Sequence, residues 1–388
     1  MVVFSQQEPG DEEPADHEED VDADVATHGR ARDEVVDDHC DHGHRTKAVE
    51  PREAYANERL RSVRGRFGAI RGGSGRAHGR GAPRLRWANV TDEPTTRLRL
   101  DIAYDGTGFS GWARQPRLRT VQGVLEEALT TVFHRDGDVP SLTVAGRTDA
   151  GVHATGQVAH LDLTPRQLTR LATPHGGRPA PEPAAALARR LNGIAGLGSD
   201  VVVRSASFAP AGFDARFSPV WRRYEYRIAD ASAERNPLQR LYTTRYPSEL
   251  DVDAMNTAAE ELLGLHDWAA YCRPREGSTT IRELQEFRWI RGHDGVITAH
   301  LRADAFCHSM VRALVGAGVA LGEGKLASDR LLGIRNEATR TSEFKVMPAH
   351  GLTLVEVGYP PDDELGRRAE QTRARRDEDP VDRAPRLT

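Results

Sequence analysis

Apolar and polar residues begin to alternate at Leu98, and the alternation continues to Tyr104. A period of two is typical of a strand with one buried face, so a strand is predicted here. Turn residues follow Tyr104, and apolar residues then recur at helical spacing from Val121 to Val132, which predicts an amphipathic helix. The elements predicted next are strands at 142–145 and 157–163, a Pro/Gly-rich loop at 164–183, a helix at 184–191 and a strand at 201–203.

The second half of the chain repeats this mixture of periods. Alternation from Trp221 to Ile228 predicts a strand that places Tyr224 and Tyr226 on one face. The remaining predicted elements are a helix at 252–263, strands at 284–290 and 296–303, a helix at 309–321 and a strand at 352–357. An Asp-Gly pair between two of these strands is a strong hairpin signal. Helices interleaved with hairpins favour an α+β fold over a doubly wound parallel sheet.

Apolar periodicity is missing from the first 95 residues, which are acidic and His-rich and then Arg/Gly-rich. This composition predicts disorder. The tract His39–His44 is interpreted as part of that flexible segment, because no predicted element fixes the geometry that a metal site needs. The predicted organisation is an extension at 1–95, a first α+β half at 96–208, a second α+β half at 209–361 and a charged tail that frays at 362–388.

The chain has 388 residues, enough for two domains, and a formal net charge of −5. That value hides an asymmetry, because residues 1–50 hold 16 acidic against 4 basic residues and the rest is net positive by 7. Arginine supplies nearly all of the excess, and its planar guanidinium suits phosphate groups and stacks on bases. The charge balance is therefore compatible with an RNA partner without establishing one.

The compartment expected from composition is the cytosol. Nothing approaches the roughly 18 consecutive apolar residues that a membrane span needs. The acidic N-terminus also lacks the basic and apolar regions of a signal peptide. The three cysteines are widely spaced and odd in number, which argues against a disulfide framework and against a zinc cluster, so reduced thiols are predicted.

The segment 145–157 concentrates chemically active side chains between two predicted strands. Arg147, Asp149 and His153 stand among three glycines there. Loops held by rigid strands often carry catalytic groups, and glycine lets a ligand approach the main chain. The residues alone leave a second interpretation equally open, in which Asp149 only hydrogen-bonds its own backbone in a turn.

Five motifs, in this order, resemble those of the TruA family of tRNA pseudouridine synthases. They are Tyr104–Gly106 with Gly111-Trp112, Gly146–His153, Phe213–Ser218, Arg223–Tyr226 and Phe306–Arg312. The resemblance covers roughly 97–360, and five collinear motifs are far more specific than one. It implies the pseudouridine synthase fold, with two similar halves that are each a mostly antiparallel sheet with helices on one face, and an active-site cleft between them.

The resemblance also implies roles for individual residues. Asp149 matches the family's catalytic nucleophile, Arg312 the arginine that forms an ion pair with it, and Tyr224 the tyrosine that stacks on the target base and takes part in proton transfer at C5. Arg147 matches an arginine linked to base flipping. The implied substrate-binding residues are Tyr224, Arg147, Phe306 and His308.

In such enzymes the aspartate attacks the target uridine at C1′ of the ribose or at C6 of the base, two alternatives that the sequence leaves open. The N-glycosidic bond is cleaved, and the base turns and rejoins through C5. The resemblance implies no metal or other cofactor, and the chain has no P-loop, dinucleotide fingerprint or zinc spacing. It further implies a tRNA substrate modified in the anticodon stem-loop at positions 38, 39 and 40, and a homodimer.

Taken without the resemblance, most of these residues have an ordinary structural explanation as well. Arg312 lies on a helix that is apolar nearly all round, so it either pairs with a carboxylate inside the protein or lies at the wet edge of that helix. If it pairs with Asp149, that carboxylate stays ionised, which suits a nucleophile. The structural alternatives are a core side chain for Tyr224 and Phe306, a phosphate or structural contact for Arg147, and a loop histidine with satisfied hydrogen bonds for His153.

The aromatic and polar side chains on the loop after Tyr104 also leave two explanations open. Phe109, Trp112, Arg114 and Gln115 either contact bases or, in the case of the tryptophan, pack under the loop.

Two other functions compete with the cofactor-free isomerase. The first is a noncatalytic tRNA-binding or tRNA-folding protein on the same fold, against which the presence of Asp149, Arg312 and Tyr224 together argues. The second is a metal-dependent phosphodiesterase, which needs clustered ligands within the fold. The cluster of histidines in this sequence lies in the N-terminal extension instead.

Overall fold

The computed structural model describes residues 94–174, 179–273 and 279–377. The strands within these ranges are β1 (Thr96–Tyr104), β2 (Thr143–Val144), β3 (His153–Leu163), β4 (Val201–Phe208), β5 (Trp221–Ala229), β6 (Thr244–Arg245), β7 (Gly264–Asp267), β8 (Ile281–Arg291), β9 (Ile297–Ala303) and β10 (Leu352–Gly358). The α-helices are α1 (Val121–Phe133), α2 (Pro165–Ala172), α3 (Pro183–Ala195), α4 (Val252–Glu261), α5 (Met310–Gly322), α6 (Ser328–Glu337) and α7 (Leu365–Asp377). The predicted α+β class is confirmed.

All ten described strands belong to one mostly antiparallel sheet. Its main path is β4-β1-β3-β10-β5-β9-β8-β7, with β2 beside β3 and β6 beside β5. Only the pairs β3/β10 and β5/β6 are parallel among the described strands. The last strand in sequence therefore lies in the middle, where it joins the strands of the first half to those of the second.

The contact between β3 and β10 depends on a glycine. A Cβ atom at Gly156 would lie 2.1 Å from the carbonyl oxygen of Val355, so only glycine allows the two backbones to come this close. The parallel pairing extends β3 back to His153. The strand predicted to start at 157 therefore starts four residues earlier, and the loop before it is shorter than predicted.

The apolar side chains form two large clusters on this continuous sheet. One consists mainly of residues from β1, β3, α1 and α3, and includes Leu100 and Leu129. The other is built around α4, α5, β8 and β9, and includes Met255 and Leu314. Tyr224 on β5 packs against both clusters, so it lies where they meet.

The Pro/Gly-rich loop predicted at 164–183 is wrong in part, because it contains α2. Pro165 occupies the start of this helix, where its missing N–H costs nothing. Thr164 caps the helix by accepting from the backbone N–H of Gln167, whose side chain accepts from the backbone N–H of Thr164 in return. This reciprocal cap stabilises a helix of only eight residues.

The prediction that the chain frays beyond residue 361 is also wrong for its first part, which forms α7. Leu365 and Ala369, four positions apart and hence on one face of the helix, are each 2 % exposed. Arg373 on the same helix forms an ion pair of 2.6 Å with Asp214. A charged segment is thus held by one apolar stripe and one ion pair.

Two of the three cysteines are paired, which corrects the prediction of reduced thiols. Cys272 and Cys307 form a disulfide with their Cα atoms 5.8 Å apart. Cys40, the tract His39–His44 and the predicted disorder of the N-terminal extension lie outside the described residues. No described helix combines the length and the hydropathy needed to cross a bilayer.

Candidate active site

The loop at 145–152 joins β2 to β3 and is held from below by buried polar side chains. The Tyr104 hydroxyl lies 2.7 Å from Oγ1 of Thr148. Gln157, which is fully buried, donates from Nε2 to the Tyr104 hydroxyl at 3.3 Å and to the carbonyl of Gly146 at 2.9 Å. These hydrogen bonds give the Gly146 carbonyl a donor and hold Thr148 in place, so the backbone of the loop is fixed on its buried side.

The backbone around Asp149 is also approached closely by a neighbouring turn. The N–H of Trp112 donates to the carbonyl of Thr148 at 3.1 Å. Gly111, with φ of 93°, has its Cα against the same segment, and a Cβ there would lie 2.9 Å from the Thr148 oxygen. The nucleophile predicted from sequence therefore lies on a rigid loop.

The Asp149 carboxylate faces two cationic or potentially cationic side chains. Nε2 of His308 is 3.5 Å from its Oδ1, and Nη1 of Arg312 is 4.0 Å from its Oδ2. The Asp149 side chain is 38 % exposed, so a ligand in solvent can reach it. The structure therefore brings together three of the residues that the sequence singled out, with the acid accessible.

Arg312 reaches Asp149 from the first turn of α5. Its Nε donates to the carbonyl of Met347 at 2.6 Å, and the backbone N–H of Met347 donates back to the carbonyl of Arg312 at 3.1 Å. The side chain is 22 % exposed. It thus lies between the two alternatives drawn from sequence, neither fully inside the protein nor free at a wet edge, and its orientation is set by a backbone carbonyl.

Tyr224 and Phe306 form an aromatic pair beside this carboxylate. Their ring centroids are 5.1 Å apart with an interplanar angle of 87°, an edge-to-face contact. Burial raises the pKa of the Tyr224 hydroxyl well above its ordinary value, Tyr104 adds to the effect, and the charge of Asp149 acts in the same direction. The hydroxyl is consequently protonated at neutral pH and makes no hydrogen bond within the described ranges.

Arg147 is exposed on the same loop and has no hydrogen-bond or ion-pair partner among the described residues. His308 is 38 % exposed and lies between Phe306 and the start of α5. Both side chains are therefore available to an incoming ligand. Arg147, in particular, is not committed to a structural contact in this part of the chain.

His153, which had no functional assignment from sequence, has the satisfied hydrogen bonds expected of a structural histidine. Its Nδ1 accepts from the backbone N–H of Gly106 at 3.0 Å, so Nε2 carries the proton and donates to the carbonyl of His350 at 3.0 Å. The ring is buried. His153 thereby links the end of the loop that carries Asp149 to the segment just before β10.

The possibility that Trp112 stacks on a base is contradicted, because it is 1 % exposed beneath the loop, and Phe109 is 4 % exposed. Arg114 and Gln115 remain at the surface. No cluster of three or more His, Cys, Asp or Glu side chains is placed to hold a metal ion in the described part of the chain.

One residue of the site was missed from sequence, namely Arg222. It donates to the carbonyl of Ala145, at the start of the loop that carries Asp149, and to the carbonyl of Asp304. A signal was present, since Arg222 interrupts the face of β5 that otherwise carries Tyr224, Tyr226 and Ile228.

The chain is similar in sequence to a known protein family over most of its described residues. The family described as "tRNA pseudouridine synthase" matches residues 258–360. The chain is 64 % identical over 287 residues to tRNA pseudouridine synthase A of Leifsonia xyli, an alignment that covers 74 % of this chain and 99 % of that protein. Identity is 52 % over 282 residues to tRNA pseudouridine synthase A of Frankia casuarinae, covering 72 % and 94 %. It is 50 % over 287 residues to that of Mycobacterium leprae, covering 74 % and 96 %.

Proposed function

The chain belongs to the TruA family of tRNA pseudouridine synthases, and from this we propose that it is an isomerase that converts uridine to pseudouridine in the anticodon stem-loop of tRNA, at positions 38, 39 and 40. The observation that carries the proposal is the accessible carboxylate of Asp149 between His308 and Arg312, with Tyr224 and Phe306 beside it. A binding protein has no need of such an arrangement.

In the proposed reaction Asp149 is the nucleophile. It attacks either C1′ of the ribose or C6 of the uracil, and the bond between N1 and C1′ breaks. The base then turns and a bond forms between C5 and C1′, while the bond from Asp149 to C1′ or C6 breaks and releases the free carboxylate. The proton on C5 passes to water or to a base in the site, and N1 takes up one proton. The balance is that of an isomerisation, with no oxidant, reductant or group donor. Arg312, directed by the Met347 carbonyl, keeps a positive charge near the Asp149 carboxylate throughout.

Tyr224 and Phe306 would hold the extruded base, since removal of a base from its stack must be compensated by new contacts. The Tyr224 hydroxyl has no other hydrogen-bond partner in the described ranges. Because burial raises its pKa, it keeps its proton at neutral pH, so in proton transfer at C5 it would act as a relay that accepts the C5 proton on its oxygen while passing its own proton on. Arg147 and His308 are exposed and would contact the nucleotide or its phosphates. Arg147 would thereby stabilise the flipped conformation.

We also propose the larger organisation that the family implies. Residues 96–208 and 209–361 would form two related halves with the cleft between them, consistent with two apolar clusters that meet at Tyr224. A homodimer in the cytoplasm, where its tRNA substrate is found, completes the proposal. Size-exclusion chromatography with light scattering tests the dimer.

The function is tested by incubating the purified protein with unmodified tRNA and mapping pseudouridine. The wild type is expected to form it in the anticodon stem-loop, and Asp149→Asn is expected to form none while binding tRNA normally. Asp101→Asn is the matched control, since Asp101 is a carboxylate of similar exposure, 34 %, that also pairs with an arginine, Arg99, at 2.8 Å. Full activity of Asp149→Asn would remove the nucleophile assignment, and an inactive wild type that still binds tRNA would favour a noncatalytic function.

A further inference from the structure

Arg222 occupies an unexpected position on β5. It shares a strand face with Tyr224, Tyr226 and Ile228, because residues two apart point the same way. Tyr226 and Ile228 are fully buried. A guanidinium taken from water needs partners, so a cation on this face requires a specific explanation.

The partners of Arg222 are two backbone carbonyls from different segments. Nη1 donates to the carbonyl of Asp304 at 2.7 Å, and Nη2 donates to the carbonyl of Ala145 at 3.1 Å. Ala145 is the first residue of the loop that carries Asp149. Asp304 begins the connection that carries Phe306 and His308 from β9 to α5. One side chain therefore joins both segments of the site to the strand of Tyr224.

The Asp304 carbonyl is a firm anchor, since the surrounding backbone is itself held. The Asp304 carboxylate accepts from the backbone N–H of Glu283 at 3.0 Å and from that of Ala305 at 2.7 Å. The backbone N–H of Asp304 donates to the Glu283 carbonyl at 3.2 Å. The N–H of Ala145 is likewise bound, to the carbonyl of Val158 at 2.8 Å. Arg222 thus links two ordered positions rather than two loose loops.

The charge of Arg222 is not neutralised by an ion pair within the described residues. Burial lowers the pKa of its guanidinium, while the nearby Tyr359, Tyr224 and Asp304 side chains act in the opposite direction. The interaction with Tyr224 is mutual, because burial raises the pKa of the Tyr224 hydroxyl and Arg222 opposes that rise. The cation therefore acts on the hydroxyl that the proposed reaction uses.

We infer that Arg222 is a positioning residue of the isomerisation, which sets the separation between the Asp149 loop and the Phe306–His308 segment and aligns both with Tyr224. The inference rests on the proposed function. Its basis is that a single guanidinium contacts the carbonyls at the start of both segments. A displacement of about 1 Å at reacting groups is enough to cost about 100-fold in rate.

The test compares Arg222→Met and Arg222→Lys in pseudouridine formation under saturating and subsaturating tRNA. Arg222→Met is expected to lower kcat about 10- to 100-fold, with little change in KM, because the tRNA-facing side chains are untouched. Arg222→Lys keeps the charge and one of the two hydrogen bonds, so it should recover part of the lost kcat. If Arg222→Met does not fold, the test rests on Arg222→Lys alone, whose kcat is expected to be about tenfold lower than that of the wild type.

Arg97→Met is the control for a purely structural effect. Arg97 also donates to a backbone carbonyl, that of Phe213 at 2.7 Å, and pairs with Asp162 at 2.8 Å, at the end of β3 remote from His153. Its loss should lower stability and leave kcat per folded molecule unchanged. A structural role for Arg222 alone predicts the same result for both arginines.

A double-mutant cycle with Tyr224→Phe provides the second readout. If Arg222 acts in part on the Tyr224 hydroxyl, its replacement by Met should lower kcat by a smaller factor in the Tyr224→Phe background. An active wild type together with an Arg222→Met variant of unchanged kcat, or one that changes only as Arg97→Met does, refutes the inference alone. A wild type that forms no pseudouridine refutes the proposed function, and the inference falls with it.

Discussion

Replacement of Arg312 by Met removes two interactions that contribute to stability, the ion pair with Asp149 and the hydrogen bond to the Met347 carbonyl, and the structure allows their sizes to be compared. If Arg312 paired with a carboxylate inside the protein, its loss would leave a buried charge without a partner and destabilise the protein strongly. Asp149 is 38 % exposed and its Oδ2 is 4.0 Å from Nη1 of Arg312, so water can replace the lost charge. Such an exposed pair contributes at most about 1 kcal/mol to the free energy of unfolding.

The larger contribution should come from Met347. The Nε of Arg312 donates to its carbonyl at 2.6 Å, and a hydrogen bond from a charged donor contributes about 1.5–3 kcal/mol. Arg312→Met is therefore expected to lower the free energy of unfolding by about 2–4 kcal/mol, and Asp149→Asn by less than about 1 kcal/mol. Turnover should fall in both, because the nucleophile is lost in one and misdirected in the other.

Urea unfolding of the wild type, both single variants and the double variant measures the coupling in stability, which should stay below about 1 kcal/mol. Pseudouridine formation by Arg312→Met is measured in parallel with that of Arg312→Lys. A coupling above about 2 kcal/mol would show that the pair is much less hydrated than its exposure indicates. Wild-type turnover in Arg312→Met would remove Arg312 from the catalytic arrangement altogether.

Three further predictions follow from the packing, from a buried histidine and from the extent of the described fold. Gly156→Ala should lower the free energy of unfolding by at least about 2 kcal/mol, because the added Cβ would lie 2.1 Å from the Val355 carbonyl oxygen. Gly193→Ala is the control, since an added Cβ there meets nothing within 4 Å and should cost nothing. Urea unfolding measures both variants. Burial lowers the pKa of His160 to about 4, below its ordinary value of 6.5. Between these two pH values the unfolded chain binds a proton at His160 that the folded chain does not bind, so the free energy of unfolding should fall as pH drops from 6.5 towards 4. Thermal unfolding across that range should show a melting temperature that declines less steeply with falling pH in His160→Gln than in the wild type. An equal decline in both proteins would assign the effect to other groups. Deletion of residues 1–93 should leave kcat and tRNA affinity unchanged, because every residue assigned to the site lies between 145 and 312, and a large loss of affinity would make that segment part of the tRNA-binding surface.

Elements with a clear local period were predictable from the sequence. β1 and β5 alternate, α1 repeats every three to four residues, and the pair β8 and β9 is announced by an Asp-Gly turn. In β1 and β9, for example, alternate residues are buried along most of the strand. β6 and β7 were missed because strands of two and four residues cannot display a period. α6 has ten residues but is mostly polar, with only Leu331 and Ile334 buried, so it shows no clear apolar stripe.

Elements that depend on distant partners were not predictable in this way. The first residues of β3 are polar or small. They form a strand because β10 pairs with His153 and Ala154 from two hundred positions further along, and Tyr104 of β1 pairs with Ala154 on the other side. α7 is highly charged and is held by Leu365, Ala369 and the ion pair between Arg373 and Asp214. α2 is a different case, because its Thr-Pro-Arg-Gln capping signal is present in the sequence, and a proline that suggests a loop here occupies the first turn of a helix.

For the site, the residues came from the family's motifs and the distances from the structure. No periodicity indicates that Asp149 and Arg312 approach to 4.0 Å, or that Met347 sets the direction of the guanidinium. The roles of Asp149, Arg312 and Tyr224 therefore stay predictions until the variants are measured. Arg222 could have been suspected, as a cation on an otherwise apolar strand face, without any knowledge of its partners.

The position of β10 determines how the site is assembled. Among the described strands it alone joins β3, which follows the Asp149 loop, to β5, which carries Tyr224. Two side chains reinforce this junction, since His153 donates to the carbonyl of His350 just before β10 and Arg222 donates to the carbonyl of Ala145. Asp149 and Tyr224 thus come into register only after nearly the whole folded chain has been made. A chain that ends before β10 should therefore lack the site even where its earlier helices and hairpins have formed.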